Sequence, residues 1–211
     1  MKKLLTLSAL LLLITANSQE TPYELHDAPT FSVDGDFDGN GSVETLSQFI
    51  TDSLGKRIAH LQEIENDTRD DYVNGFAAKG YRTGIAIAGE EDNTLSFNRA
   101  QGVYLLINLG NLNKTKGDEI AIIPDVVDQS RHSYCHVYSL CKGKWQEVFV
   151  FSVHEDAFDT FDGTPYKSLP GILEQKKGKW HYHDYLDMEY DNPKDVGNMM
   201  PLKVLDCTQE P

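Results

Sequence analysis

Residues 133–153 read SYCHVYSLCKGKWQEVFVFSV. Ser133 to Cys141 and Trp145 to Val153 are strand-like, and Lys142-Gly143-Lys144 between them puts a glycine where a tight turn needs one, so the stretch predicts a β-hairpin. The tetrad Lys-Gly-Lys-Trp recurs at 177–180 and predicts a second hairpin, from Leu173–Lys176 to Trp180–Tyr185. Upstream, Glu119 to Ile123 is an apolar strand expected to stop at Pro124. Tyr81–Ala88 and Gly102–Leu109 read as strands flanking the loop Gly89–Asn93. Val43 to Thr51 alternates Val43, Thr45, Ser47, Phe49 against Glu44, Leu46, Gln48, Ile50, a period of two that suits a strand. Asp52–Lys56 is a turn, and Arg57–Ile64 returns as a strand or a short helix before a polar patch, Glu65–Asn74. No long stretch has a 3.6-residue apolar period. The expectation is a mainly β chain with at most a helical turn or two.

The first residues divide into three zones. Lys2 and Lys3 are followed by the apolar run Leu4–Ile14, and Ala16-Asn17-Ser18 offers small residues for cleavage, the pattern of a secretory signal peptide. The run is about half the roughly 20 apolar residues that a membrane span needs. Residues 1–18 are therefore expected to be removed, with Gln19 as the new N-terminus. No cysteine follows the run for lipid attachment, and no later segment is apolar enough to cross a membrane. Residues 19–30, with Pro22 and Pro29, read as an irregular lead-in to a single β domain over 31–211. The expected destination is periplasmic or extracellular.

The full chain of 211 residues carries a formal charge of −14. Loss of Lys2 and Lys3, with no acid among residues 1–18, takes this to −16. Such a surface repels nucleic acid and anionic membranes and suits cations or basic protein partners. Cys135, Cys141 and Cys207 are an odd set. Along one strand, six residues separate the α-carbons of Cys135 and Cys141 by roughly 20 Å, whereas a disulfide needs less than about 7 Å. Two states remain open: one of these two pairs with Cys207 and leaves the other buried and free, or all three stay reduced.

The loop Asp34–Ser42 carries the clearest chemistry. Asp36, Asp38, Asn40, Ser42 and Glu44 fall at positions 1, 3, 5, 7 and 9, with Gly41 at position 6. A hard cation such as calcium takes six to eight oxygens at roughly 2.3–2.6 Å, and alternate residues of a tight loop can supply them. Position 12 is Ser47 rather than the bidentate Glu of a helix–loop–helix site, and the flanks read as strands. A weak repeat places residues 34–44 against 109–119, so that Gly35 meets Gly110, Asp36 meets Asn111, Asp38 meets Asn113 and Glu44 meets Glu119.

Gly35-Asp36-Phe37-Asp38-Gly39-Asn40-Gly41 resembles the calcium loop of FG-GAP repeats, found in integrin-type β-propellers and in secreted bacterial proteins. The resemblance implies that Asp36, Asp38, Asn40 and Glu44 hold Ca2+ by side chain and Ser42 by its carbonyl. Asn40 and Glu44 stand where aspartates are usual, which implies weaker binding. Asn111, Asn113, Thr115 and Glu119 imply a second loop that kept its shape and lost its ion. A closed propeller needs at least about four blades. Two degenerate units imply a small β-sandwich or a partial propeller instead.

Other constellations are set aside. His181 and His183 with Asp184 or Asp187 resemble a transition-metal site in outline only. His132, His136 and His154-Glu155-Asp156 lack a nucleophile motif, and Glu90-Glu91-Asp92 is the kind of acid pair that any chain with 33 acids contains. Tyr134, Tyr138, Trp145, Phe149 and Phe151 gather on the central hairpin, where an exposed subset would mark a partner surface. The expected function is a secreted or periplasmic non-enzymatic binding protein with a structural calcium loop and a protein partner. The alternatives are a periplasmic immunity or inhibitor protein capping a basic toxin or enzyme, and a secreted hydrolase with two acids converging in a pocket.

Overall fold

A computed structural model describes residues 25–62, 64, 68–185 and 199–207. The expected signal peptide and cleavage site, the first part of the lead-in, and Asp187 lie outside the described residues. The chain is mainly β, with several antiparallel sheets and no closed barrel among the described residues. Its strands are β1 (Leu25–Asp27), β2 (Ser32–Gly35), β3 (Glu44–Thr51), β4 (Arg57–Ile58), β5 (His60–Gln62), β6 (Arg82–Ile87) and β7 (Leu95–Asn98), with the helix α1 (Arg69–Lys79) between β5 and β6. They continue as β8 (Ala100–Gly110), β9 (Glu119–Val126), β10 (His132–Cys141), β11 (Lys144–His154), β12 (Leu173–Lys176), β13 (Lys179–Tyr182) and β14 (Met200–Pro201).

The first sheet runs β2-β3-β6-β7 with β4 on β3, the second runs β8-β9-β10-β11, and a third runs β12-β13-β14. Both hairpins form where glycine predicts them. Lys142 and Gly143 (φ 52° and 78°) and Lys177 and Gly178 (φ 52° and 74°) are all left-handed, as a two-residue turn matched to strand twist requires. Along β3 the alternation holds: Leu46, Gln48 and Ile50 are buried while their neighbours are not.

The second sheet is covered on both faces. Leu105, Ile107, Ala121, Ile123, Cys135 and Val137 join Leu169 and Leu173 in one core, against which Trp180 and Tyr182 of the third sheet pack. Val103, Leu106, Ile120, Ile122 and Leu140 join Phe37, Leu46, Ile85 and Ile87 of the first sheet in another. Two-sided burial explains why β8 and β9 read as nearly unbroken apolar runs.

Three expectations need correction. Leu25–Asp27 of the lead-in is a strand, paired antiparallel with β5. The polar patch holds three turns of helix: Thr68 accepts the Asp71 N–H at 3.2 Å, its hydroxyl reaches the Asp71 carboxylate at 2.7 Å, and Gly80 closes the other end. Only Val73 and Phe76 of this helix are buried, so no apolar stripe announces it and only its caps do. β9 runs through Pro124 to Val126; its pairing with β10 ends at Ile122, and Pro124 lies opposite Val103 where the β8 register shifts, so no donor is missed.

Cys141 and Cys207 form a disulfide, with α-carbons 5.6 Å apart, and Cys135 is buried and free. This is the first of the two states left open by the sequence, and it is compatible with an extracellular or periplasmic setting. Among the described residues no helix is long and apolar enough to cross a membrane. The bond ties residues 66 apart in sequence, and closing such a loop restrains the unfolded chain by about 4 kcal/mol in the chain-entropy account. The double variant Cys141→Ser/Cys207→Ser is expected to lose stability of that order in urea melts. A loss under about 1 kcal/mol would contradict the restraint.

Candidate metal centre

The loop between β2 and β3 is anchored from below. Phe37 is fully buried in the core between the first two sheets and meets Trp145 edge-on at 6.2 Å. With Phe37 pointing inward, its neighbours Asp36 and Asp38 are turned to the outer side of the loop. The loop then folds on its own side chains. The Asn40 N–H donates to Asp38 Oδ1 at 2.9 Å, Gly41 N–H to Asp36 Oδ2 at 3.1 Å, Ser42 N–H to Asn40 Oδ1 at 2.7 Å, and Phe37 N–H to Glu44 Oε2 at 2.8 Å.

One carboxylate oxygen each from Asp36, Asp38 and Glu44 lies within 4.8 Å of the others. Oxygens on a sphere of calcium's ligand radius can be no more than about 5 Å apart, so the three fit around one hard cation. Among the described residues this is the one group of three or more metal-ligating side chains gathered so closely. Asp36 Oδ1 is buried and accepts no hydrogen bond. Among the described residues no basic side chain makes an ion pair with any of the three acids. Asn40 is drawn into the cluster by its amide, which donates to Asp38 Oδ2 at 2.7 Å, and Ser42 closes the turn through its N–H. The donor set, all oxygen with a buried acceptor left over, suits a hard cation.

A brace that sequence reading missed holds the loop. The Asp118 N–H donates to the Asp36 carbonyl at 2.8 Å, and Asp118 Oδ2 accepts the Asp36 N–H at 3.2 Å. The Asn108 amide donates to Asp118 Oδ2 at 2.8 Å and to the Asp34 carbonyl at 3.1 Å. Gly117 and Gly39 face each other across this contact: a Cβ on Gly117 (φ 108°) would strike the Phe37 carbonyl, and one on Gly39 would strike Lys116. The signal was a departure within the repeat, since Gly117-Asp118-Glu119 stands opposite Ser42-Val43-Glu44.

The loop between β8 and β9 has the same construction. Glu119 accepts the Leu112 N–H as Glu44 accepts that of Phe37, and the Thr115 N–H donates to Asn113 Oδ1 at 2.6 Å as Ser42 donates to Asn40. Its interior is satisfied by amides: Asn111 Nδ2 donates to the Thr115 carbonyl at 2.7 Å. Residues near the C-terminus brace it, with the Lys114 N–H on Asp206 Oδ1 at 3.0 Å beside the Cys141–Cys207 bond.

The remaining candidates do not assemble. His181 lies on β13 with its Nδ1 against the Lys179 carbonyl, while His183 comes after the strand and its N–H donates to the Ile172 carbonyl. Asp184 is bound to Ser152 through N–H and hydroxyl. His132 and His154 pair across the open end of the central hairpin, and His154 is occupied with Asp156. On the hairpin's outer face Tyr134 and Val150 are exposed.

No protein-family model matches the chain, and no curated protein matches it. A solved structure described as an exotype rhamnogalacturonan lyase, YesX, aligns over 72% of this chain and 27% of its own length at 13% identity and a TM-score of 0.36. A likeness of that size carries no functional argument.

Glu119 gives the second loop a pH signature. Burial raises its pKa above the ordinary glutamate value, against hydrogen bonds from the Leu112 N–H and the Ser139 hydroxyl that lower it. A carboxyl raised in the fold resists ionisation there, so its contribution is complete below the ordinary glutamate range and is lost as pH rises through the raised value. Wild type is therefore expected to lose melting temperature relative to Glu119→Gln as pH rises above the ordinary glutamate range. A difference that moves the other way would contradict a burial-dominated shift.

Proposed function

We propose that this chain is a secreted or periplasmic, non-enzymatic binding protein in which the β2–β3 loop holds a structural Ca2+ through Asp36, Asp38, Asn40 and Glu44 and the Ser42 carbonyl. One observation carries the reading: three carboxylates converge within calcium's ligand diameter while Asp36 Oδ1 is left buried without a donor. A cation would relieve the mutual repulsion and satisfy that oxygen together. The ion's task is structural, since it would lock the loop through which the first sheet contacts Asp118 of the second. Outside the cytoplasm free calcium is abundant, so a site weakened by Asn40 and Glu44 would still fill.

The FG-GAP-like reading draws support from the matching hydrogen bonds of the two loops. Strands β8–β11 form a four-stranded meander, and its first two strands are joined by a loop built like the one between β2 and β3, although β4, β5 and α1 come before β6 in the first sheet. A hydrolase is less well supported. The cavity that gathers Asp125, Asp128 and Glu155 has a volume of about 140 Å3, a cavity of about 350 Å3 has Asp125 as its one acid among the described residues, and in an open groove of about 700 Å3 Asp34 is taken by Thr45 and Glu174 by Lys176.

Calorimetric titration of the mature chain with calcium chloride, beside Asp36→Ala and Asp38→Ala, tests the proposal. Wild type should show saturable heat and a stabilisation that grows logarithmically with free ion, about 2.7 kcal/mol at a hundredfold excess over Kd. Either alanine variant should lose both. Absence of heat and of any thermal shift at millimolar calcium would overturn the assignment.

A further inference from the structure

A second cavity, of about 350 Å3, lies away from the calcium loop. It opens where the segment before β2, the start of β8 and the stretch after β11 come together. Phe31, Phe161, Pro29 and Pro165 supply apolar walls, and Gln48, Gln101 and Asp125 supply its main polar side chains. Its volume falls within the range of small-molecule sites, which combine mostly apolar walls with a few fixed polar groups.

The polar groups are arranged so that acceptors remain. Gln48 is 3% exposed, and its amide nitrogen donates to the Pro29 carbonyl at 2.8 Å. A carbonyl only accepts, so the amide nitrogen must face it and Oε1 must turn the other way. That Oε1 is buried and has no partner. Gln101 is fixed from both ends: the Tyr72 hydroxyl donates to its Oε1 at 2.6 Å, and its Nε2 donates to Asp125 Oδ2 at 2.9 Å. Asp125 is 7% exposed and also takes a hydrogen bond from Tyr104. Both of its donors are neutral, and among the described residues no lysine, arginine or histidine pairs with it. No basic side chain is among the described residues that line the cavity.

We infer that this cavity is a binding site for a small organic cation, an ammonium or guanidinium group on a short carbon chain. Such a ligand brings the N–H donors that Gln48 Oε1 lacks and the counter-charge that buried Asp125 lacks. The rings of Phe31 and Phe161 favour a cation over a neutral polar molecule, and the chain's charge of −14 attracts one. An anion would meet an unpaired carboxylate. The site is independent of the calcium loop, because none of its lining residues belongs to residues 36–44.

The test is calorimetric titration of the mature chain, at fixed calcium, with agmatine and butylammonium chloride, and with butanol and methyl α-glucopyranoside as neutral probes. One of the cations should bind one-to-one with a Kd of about 1 mM or tighter, and the neutral probes should bind at least tenfold more weakly. Asp125→Asn and Gln48→Met should each weaken the cation at least tenfold, while Leu54→Ala, in an exposed turn away from the cavity, should leave it unchanged. Should Asp125→Asn fail to fold, Gln48→Met decides. Neither cation binding, a neutral probe binding as well as the cations, or full affinity in the folded variants would overturn the inference.

Discussion

Where the two equivalent loops meet, the backbone of Asp36 is held from both sides by one residue of the next unit, its carbonyl by the Asp118 N–H and its N–H by the Asp118 carboxylate. The contact is close because Gly39 and Gly117 carry no Cβ; at either position a side chain would collide with the opposite loop. Much else depends on this clamp. With Asp36 held and Phe37 sunk into the core between the first two sheets, the carboxylates of Asp36, Asp38 and Glu44 are brought to one point. The same clamp sets the first sheet on the second. The acidic cluster and the sheet packing are therefore one arrangement, and a cation in the loop would stabilise an interface as well as a turn.

The second loop shows what the same backbone does without converging acids. Asn111 and Asn113 replace Asp36 and Asp38, and their amides supply donors as well as acceptors, so the loop is satisfied internally. Its brace comes from Asp206 and the segment that the disulfide pins to Cys141. Each loop is thus held by a residue from a later part of the chain. In the third sheet β12 and β13 are joined directly by the two-residue turn at Lys177-Gly178.

Much of this was legible in the sequence. Glycine-centred turns and period-two alternation mark the hairpins and β3, because both are local properties. The gathering of the Asp36, Asp38 and Glu44 carboxylates was legible for the same reason, as was the absence of a Cys135–Cys141 bond. Helix α1 was not, because it buries only two apolar residues and is held by its caps and by the strands around it. β1 escaped because its pairing partner lies more than thirty residues away. The Asp118 brace and the cavity around Gln48 and Asp125 are long-range: each joins residues from separate elements, and no spacing within one segment encodes them. Gln48 in particular reads as one more inward position on β3, and only its neighbours make it an acceptor without a donor.

The central claim is that a single hard cation sits among Asp36, Asp38 and Glu44. The most direct measurement is a crystal structure of the mature chain grown with calcium chloride and refined with anomalous data. The account predicts an anomalous peak in the loop with carboxylate oxygens of all three residues and the Ser42 carbonyl at about 2.3–2.6 Å, and no peak in the loop of Asn111 and Asn113. A well-ordered first loop without a peak, or with ligands drawn from elsewhere, would contradict it.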